Sequence, residues 1–399
     1  MSDHRPASFV ASERDPRCPF DPSPGLLRLR GESGLPRLRV VHPVRGEIEA
    51  AVLTRYEDVR AAFADERLVT GDGIDPELPR TLFNHPGFLP AYSGPEHARL
   101  RRMLTGSFTV RQVERLRPAI RETVAAHLDA MAAHGPVVDL VEAFALPVPS
   151  LVICELLDVP YGTRSVFQRC AQVIMDGTAG ADRLVAASAE LNAAMADTVA
   201  RHRAAPGHGV LGAVVRQHGA ELTDDELVGF GTTLLVGGHE TTATMLALSV
   251  LALLRHPDQL AALRDDPATT GPAVEELLRH LAIPAPLLRT AVTDVEVNGQ
   301  WIAAGEHVLL SPLTANRDPA LVPERPDELD VHRRPVAQLS FGFGVHQCLG
   351  QQLARLELRI ALPALLRRFP ALRLAVPETA LRFRRGSTVY GVERLPVAW

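Results

Sequence analysis

The chain of 399 residues contains no lysine: all 42 of its basic residues, set against 47 acidic ones, are arginine. That absence excludes P-loop nucleotide chemistry, which needs a phosphate-binding lysine, and Schiff-base or pyridoxal chemistry, which needs an amine nucleophile. GC-rich coding suffices to explain it. A basic excess is lacking too. The formal net charge is −5, whereas a nucleic-acid binder carries a basic domain, so no nucleic-acid partner is expected, although a local basic face is compatible with that total. Only four cysteines occur, Cys18, Cys154, Cys170 and Cys348, and they show neither paired disulfide spacing nor a zinc pattern. Residues 1–20 are polar and lack the apolar core of a signal peptide, which points to a cytoplasmic protein.

What is present reads as a soluble globular chain, with 46% hydrophobic and 22% charged residues. The 32 prolines exceed the usual level of about 5% and imply many short loops. Residues 38–54 alternate apolar and polar around a turn at Gly46, the pattern of a hairpin, and a helix is expected from near Tyr56. From Arg99 to about Ile283 the periodicity is helical, with breaks expected at Gly135-Pro136, Pro147 and Pro149, Pro160, Pro206-Gly207 and His218-Gly219. Strands are expected over 289–297 and 301–310 about a turn at Asn298-Gly299, then a Pro-rich stretch, a helix over about 350–369, and short strands over 372–399. Length alone allows roughly two to three domains. Without repeats, low-complexity linkers or charge blocks, we expect a single domain over 1–399. Its α-rich body covers about 99–283 and 350–369, and its β-rich parts about 38–54, 289–310 and 372–399.

Between Phe230 and Leu254 only His239 and Glu240 are ionisable. A helix there is about 37 Å long at ~1.5 Å per residue, long enough to cross a membrane. The acid, however, lies near its middle, where it would cost about 2.5–3.5 kcal/mol. A buried core helix and no membrane association are therefore expected. Within it runs Gly237-Gly238-His239-Glu240-Thr241-Thr242. Each mid-helix glycine costs about 1 kcal/mol relative to alanine, so two together suggest close approach of something to the backbone. A threonine hydroxyl can bond back to the carbonyl one turn earlier or release it. An acid beside an alcohol suits proton relay to a bound ligand; the alternative is a helix-packing contact with Glu240 held in a salt bridge. A zinc-protease reading of His239-Glu240 fails because position 243, where the second histidine belongs, is Ala243.

The segment Phe341-Gly342-Phe343-Gly344-Val345-His346-Gln347-Cys348-Leu349-Gly350 combines a glycine-allowed tight fold with a helix opening at Gly350. Cys348 thus sits at a helix N-terminus, where the dipole and free N–H groups favour thiolate. Such a thiolate is a nucleophile or an iron ligand. His346, two residues away, is poorly placed as the base a nucleophile needs, and an axial haem ligand fits better. Cys154 and Cys170 lie in helical text as small buried hydrophobes, and Cys18 in a loose terminal segment.

With these motifs the chain resembles the bacterial soluble cytochrome P450 monooxygenases along nearly its whole length. The cysteine segment matches their Phe-Gly-x-Gly-x-His-x-Cys-x-Gly signature. The central helix matches Gly-Gly-x-Glu-Thr-Thr, Glu276-Leu277-Leu278-Arg279 matches Glu-x-x-Arg, and His97 and Arg101 stand one helical turn apart in His97-Ala98-Arg99-Leu100-Arg101. The resemblance implies a mainly α fold with a smaller β part, its long central helix over a haem and its cysteine loop on the proximal side. It implies haem b ligated through Cys348, whose thiolate favours O–O cleavage, with the propionates held by His97, Arg101, Arg289 and His346. Glu240 and Thr241 would deliver protons to O2. Glu276 and Arg279, with Arg333 as third member, would form a buried structural ion pair. Leu329 stands where the family usually has phenylalanine and Gln338 where histidine is common. The implied activity is hydroxylation or epoxidation of a lipophilic small molecule, a polyketide, macrolide, terpenoid or peptide secondary metabolite before a xenobiotic, with ferredoxin and ferredoxin reductase as electron donors. Non-catalytic haem binding is the alternative from another class. The substrate pocket is expected along residues 68–93, acting as a mobile lid, 167–191, Leu234, Leu235, 286–288 and 387–390. Arg102, Arg355 and Arg359 are expected to form a proximal basic patch for an acidic ferredoxin, and the protein to be a monomer.

Overall fold

The computed structural model describes residues 7–8, 14–15, 18–32, 34–42, 46–71 and 73–399. Helices dominate and a smaller β part lies beside them. The organising element is the helix Asp224–Leu254, 31 residues long, which starts earlier than its apolar run because Thr223 and Glu226 form a reciprocal capping box ahead of it. Its length and hydropathy would allow a membrane span, yet 78% of its most apolar window is buried within the protein. It packs on the helices Pro147–Leu157, Ala181–Ala204 and Gln351–Arg368, as a helix apolar on every side must.

Two apolar clusters meet along this helix. Its first half, to Val236, joins the helices of residues 153–214, and its second half, from Met245, joins those of 120–131, 273–281 and 353–366. Residues 237–244 belong to neither cluster. The polar run of the sequence therefore falls at the seam.

The main sheet has six strands in the order Ala7–Ser8, Arg37–His42, Gly46–Leu53, His307–Leu310, Leu287–Ala291, Leu68–Val69. Arg37–His42 and Gly46–Leu53 pair antiparallel, as the alternating pattern requires, and residues 43–45 lie outside the described residues. Asn298 and Gly299 both have positive φ (50° and 73°) and join Val295–Val297 to Gln300–Ile302 through a tight hairpin turn.

Three expectations change. Pro147 opens the helix Pro147–Leu157 instead of breaking one, because the first helical position has no N–H bond to lose; the turn before it widens into a π-helical stretch over Val141–Ala145. Val137–Asp139, inside the text read as helical, is a strand, paired with the far C-terminal Pro396–Ala398. Cys18 opens the strand Cys18–Pro22 and packs partly buried against the core, so it is not in a loose tail.

Candidate functional site

The cysteine loop is shaped by its glycines. Gly342 and Gly344 have φ of +68° and +74°, and a Cβ at Gly344 would lie 2.8 Å from the Phe63 carbonyl oxygen. After a short turn over Gly344–His346, the Cys348 N–H donates to the Phe341 carbonyl at 2.8 Å, and the helix Gln351–Arg368 begins with Gly350 as its cap. The Cys348 side chain is accessible, yet burial pushes its thiol up against the opposing pull of the Gly350 and Gln351 N–H groups and of Arg101 and Arg355. The helix N-terminus favours the thiolate as expected, but it does not win by itself in the protein alone. A cationic metal bound there would supply the missing charge. Among the described residues no three His, Cys, Asp or Glu side chains gather to hold a metal ion. A lone thiolate of this kind suits a metal that brings its other ligands with it.

His97, Arg101, Arg289 and His346, drawn from three separate stretches of chain, converge. His97 lies on the helix Gly94–Thr105, and its ring centroid is 4.0 Å from that of His346. Burial lowers His97 to about 4 with help from Arg101, and His346 to about 3 with help from His97, Arg289 and Arg101. Arg289, on the strand Leu287–Ala291, is 7% exposed and pushed down to about 10 by burial alone. Among the described residues its guanidinium donates to the Leu288 carbonyl. Arg101 donates to the Gln347 carbonyl at 2.6 Å. Among the described residues no carboxylate forms an ion pair with either arginine, and His97 Nε2 is buried without a partner. Buried cations are normally paired. The residues present therefore fit a dianionic group such as the two propionates of haem.

On the central helix the two adjacent glycines differ. A Cβ on Gly238 would come 2.8 Å from Ile153 Cδ1, a plain helix-packing contact, whereas one on Gly237 would meet nothing within 4 Å. Thr241, one turn on, donates from Oγ1 to the Gly237 carbonyl at 2.6 Å, so Gly237 and Thr241 share the open face. Glu240 is 1% exposed. Its Oε2 accepts from Arg384 Nη1 at 3.0 Å, while Oε1 has no hydrogen-bond partner among the described residues and lies 4.0 Å from His239 Nδ1. The salt bridge that one reading of Glu240 requires is thus present on Oε2. Arg384 and Thr244, which accepts from Arg384 Nη2, were not among the expected site residues; a sequence carries no local signal for a contact 144 residues apart.

Behind the cysteine loop Glu276 accepts from Arg279 Nε and Nη2, both at 2.8 Å, from Arg333 Nε at 3.1 Å and from the Asp330 N–H at 3.0 Å. Arg279 also donates to the carbonyls of Asn316, Pro326 and Glu328. Asn316 in turn holds Ser340 and the Leu339 N–H, the entry to the cysteine loop. Leu329 in place of phenylalanine leaves Arg333 in contact.

Other expected surfaces are corrected. Arg355 and Arg359 both bind Glu275, Arg355 through a two-pronged contact that leaves it 16% exposed. Of the expected basic patch Arg102 is exposed, Arg359 is shared and Arg355 is committed. Within the described part of the 68–93 loop, Asn84 bonds to Asp75, Leu78 and Pro79, and the Leu82 N–H donates to Ser188. Phe167, Leu191, Leu235 and Tyr390 are core residues. A cavity of about 550 Å³ lies beside the central helix, between Ala243, Thr244 and Ala247 and the C-terminal segment Phe383–Ser387, and Cys348 is not among its lining residues.

Comparison with known proteins gives a match to the family model described as Cytochrome P450 over residues 209–379. Cytochrome P450 105A3 of Streptomyces carbophilus is 44% identical, covering 98% of both chains. Pentalenic acid synthase of Streptomyces avermitilis is 43% identical over 98% of this chain and 97% of its own. The crystal structure of CYP105P1 in complex with filipin I superposes with a TM-score of 0.88 at 41% identity, covering 98% of this chain and 99% of the other.

Proposed function

The chain belongs to the bacterial cytochrome P450 family, and from that premise we propose that it hydroxylates or epoxidises a lipophilic secondary metabolite, with haem b held through Cys348. As a family member it is a monooxygenase, an oxidoreductase that consumes O2. The observation that carries the site assignment is the convergence of His97, Arg101, Arg289 and His346 without a carboxylate among the described residues, beside an accessible Cys348.

Haem, when bound, supplies the iron at which O2 is activated. Arg101 and Arg289 would hold its propionates as charge-assisted forks, and His97 and His346 would donate to them. Cys348 Sγ would hold the iron, its negative charge eased by the Gly350 and Gln351 N–H groups. Thr241 Oγ1 would turn from the Gly237 carbonyl toward the open face, donate a hydrogen bond there, and leave Gly237 without a side chain in the way. Glu240 would supply the protons through its free Oε1. A protein that merely stored haem would have little need of that acid and alcohol.

Relatives named for pentalenic acid and studied with filipin I favour a natural-product substrate over a xenobiotic. We take electrons to come from a ferredoxin and its reductase, docking through arginine because the chain has no lysine, with Arg102 and Arg359 as the accessible members. The 399 residues would act as one cytoplasmic, monomeric domain. The test is the spectrum of the reduced carbon-monoxide complex: the long-wavelength band of a thiolate-ligated haem is expected, and Cys348→Ala should abolish it. Purified protein that takes up no haem, or an unchanged band in Cys348→Ala, refutes the assignment.

A further inference from the structure

Away from the site described above, a groove of about 230 Å³ runs between the helices Arg117–His134 and Gln351–Arg368. Val124, Leu128 and Ile360, which are 2%, 5% and 8% exposed, give it an apolar floor. Among the described residues the charged groups that line it are all arginine: Arg117 and Arg121 on one wall, Arg359 and Arg367 on the other. The fold neutralises only part of this charge. Arg117 donates twice to Glu114, and Arg359 shares Glu275 with Arg355. Arg121 and Arg367 are exposed and form no ion pair among the described residues. Three of the four share one electrostatic neighbourhood, because the Glu114 carboxyl is held below its usual range first by its bonds to Arg117 and then by the fields of Arg117, Arg359 and Arg121. Arg117 opens its helix and Arg121 stands one turn on, with no acid in the first turn. Two like charges at this spacing, near the positive end of a helix dipole, disfavour the folded state. An anion between the walls relieves both terms, and a merely solvated basic face has no concave apolar floor to fill.

We propose that this groove binds a small organic dianion, an apolar body carrying two carboxylate or phosphate groups. One acid group takes the Arg121 fork and the other the Arg367 fork across the groove, while the body covers Val124, Leu128 and Ile360. At about 230 Å³ the space falls below the ~300–1,000 Å³ of sites for drug-sized molecules, so the body is small. The site stands apart from the haem reading, since neither Arg121 nor Arg367 is among the arginines assigned above to the propionates or to the electron donor. An occupant ties Arg117–His134 to the helix that follows the Cys348 loop, and Arg359 links the groove through Glu275 to Arg355 on that same helix.

The test titrates the haem-loaded protein with 5-bromobenzene-1,3-dicarboxylate by isothermal calorimetry at constant ionic strength. Crystals soaked in the same compound locate its bromine by anomalous scattering. One-to-one binding is expected, with the bromine between the two helices and the unfolding midpoint rising with the logarithm of ligand concentration. Arg121→Glu combined with Arg367→Glu should weaken binding roughly tenfold or more and leave the far-UV circular dichroism as in the parent. Ala364→Phe, at a half-buried position of the groove wall, should weaken it as much by filling the space without touching a charge. 1,3-Benzenedimethanol, the same body without its acid groups, should not bind between the helices. No binding of the dicarboxylate, bromine found elsewhere, or an affinity unchanged in either variant overturns the proposal. Sulfate that binds as tightly as the probe marks an adventitious ion only, and overturns it too. If the double arginine variant keeps the probe but slows reduction by the electron donor, the groove is a protein-docking surface instead and the proposal fails.

Discussion

Replacing Arg279 by methionine tests whether the ion pair behind the cysteine loop is structural. Arg279 is fully buried and Glu276 nearly so. The substitution keeps the length and apolar volume of the side chain but removes two charge-assisted bonds to Glu276 and three bonds to backbone carbonyls. Breaking a buried pair costs about 3–5 kcal/mol, because the remaining charge is left desolvated. The carbonyls of Pro326 and Glu328 are part-buried, so water can replace some of the lost donors, whereas that of Asn316 is not. Arg333 remains on Glu276 at 3.1 Å and moderates the loss. A total near 4 kcal/mol follows, or about a thousandfold in the unfolding constant, a large part of the ~5–15 kcal/mol that holds a typical domain. Arg333→Met, whose side chain is 13% exposed, should cost about 1–2 kcal/mol, nearer the range of a single charge-assisted bond. Urea unfolding of the haem-free protein followed by far-UV circular dichroism measures both, and haem retention reports the knock-on to the Ser340 end of the cysteine loop. An Arg279→Met protein within about 1 kcal/mol of the parent, or one no worse than Arg333→Met, would falsify the structural reading.

Thr241→Ala should leave O2 consumption in place while hydrogen peroxide replaces product, and a peroxide assay alongside product analysis decides it; tight coupling in the variant removes Thr241 from the relay. The two glycines should part company. Gly238→Ala drives a Cβ into Ile153 and should lower the unfolding midpoint, while Gly237→Ala should gain up to about 1 kcal/mol of helix propensity yet slow carbon monoxide rebinding after flash photolysis. Equal behaviour of the pair contradicts the assignment of the open face. The pH dependence of the haem-free protein follows from His97 and His346, lowered to about 4 and about 3. Both fall below the unfolded value of about 6.5, so the unfolded chain binds more protons in that window. Stability is fully present above pH ~6.5 and falls as pH drops toward the folded values, at up to about 1.4 kcal/mol per pH unit per histidine. Urea midpoints from pH 7 to 5 should show the slope, His97→Leu should reduce it, and bound haem should flatten it by giving both rings an anion to donate to.

Much of the site was legible before folding because its chemistry is local. The cysteine loop needs left-handed glycines and a following helix N-terminus, and both are written within ten consecutive residues. His97 and Arg101 share a helix face by simple spacing, and Glu276 with Arg279 likewise. The central helix announces itself by composition, although its true start did not, since the capping box at Thr223 and Glu226 lies outside the apolar run. What escaped were pairings across long separations. Val137–Asp139 reads as helix until the chain's last strand pairs with it, and Arg355 reads as a free surface cation until Glu275, 80 residues earlier, binds it.

The sequence by itself therefore determined the cysteine motif proposed to hold the cofactor, the Glu240-Thr241 pair proposed to relay protons and the exclusion of lysine chemistry, because residue identity and helical period suffice for each. Only the tertiary structure decided which arginines are spent and which are free. It put Arg384 on Glu240, Arg355 on Glu275 and left Arg289 buried without a carboxylate among the described residues. The physical reason is that a charge is specified by one residue, but its desolvation and its partner are set by everything packed around it.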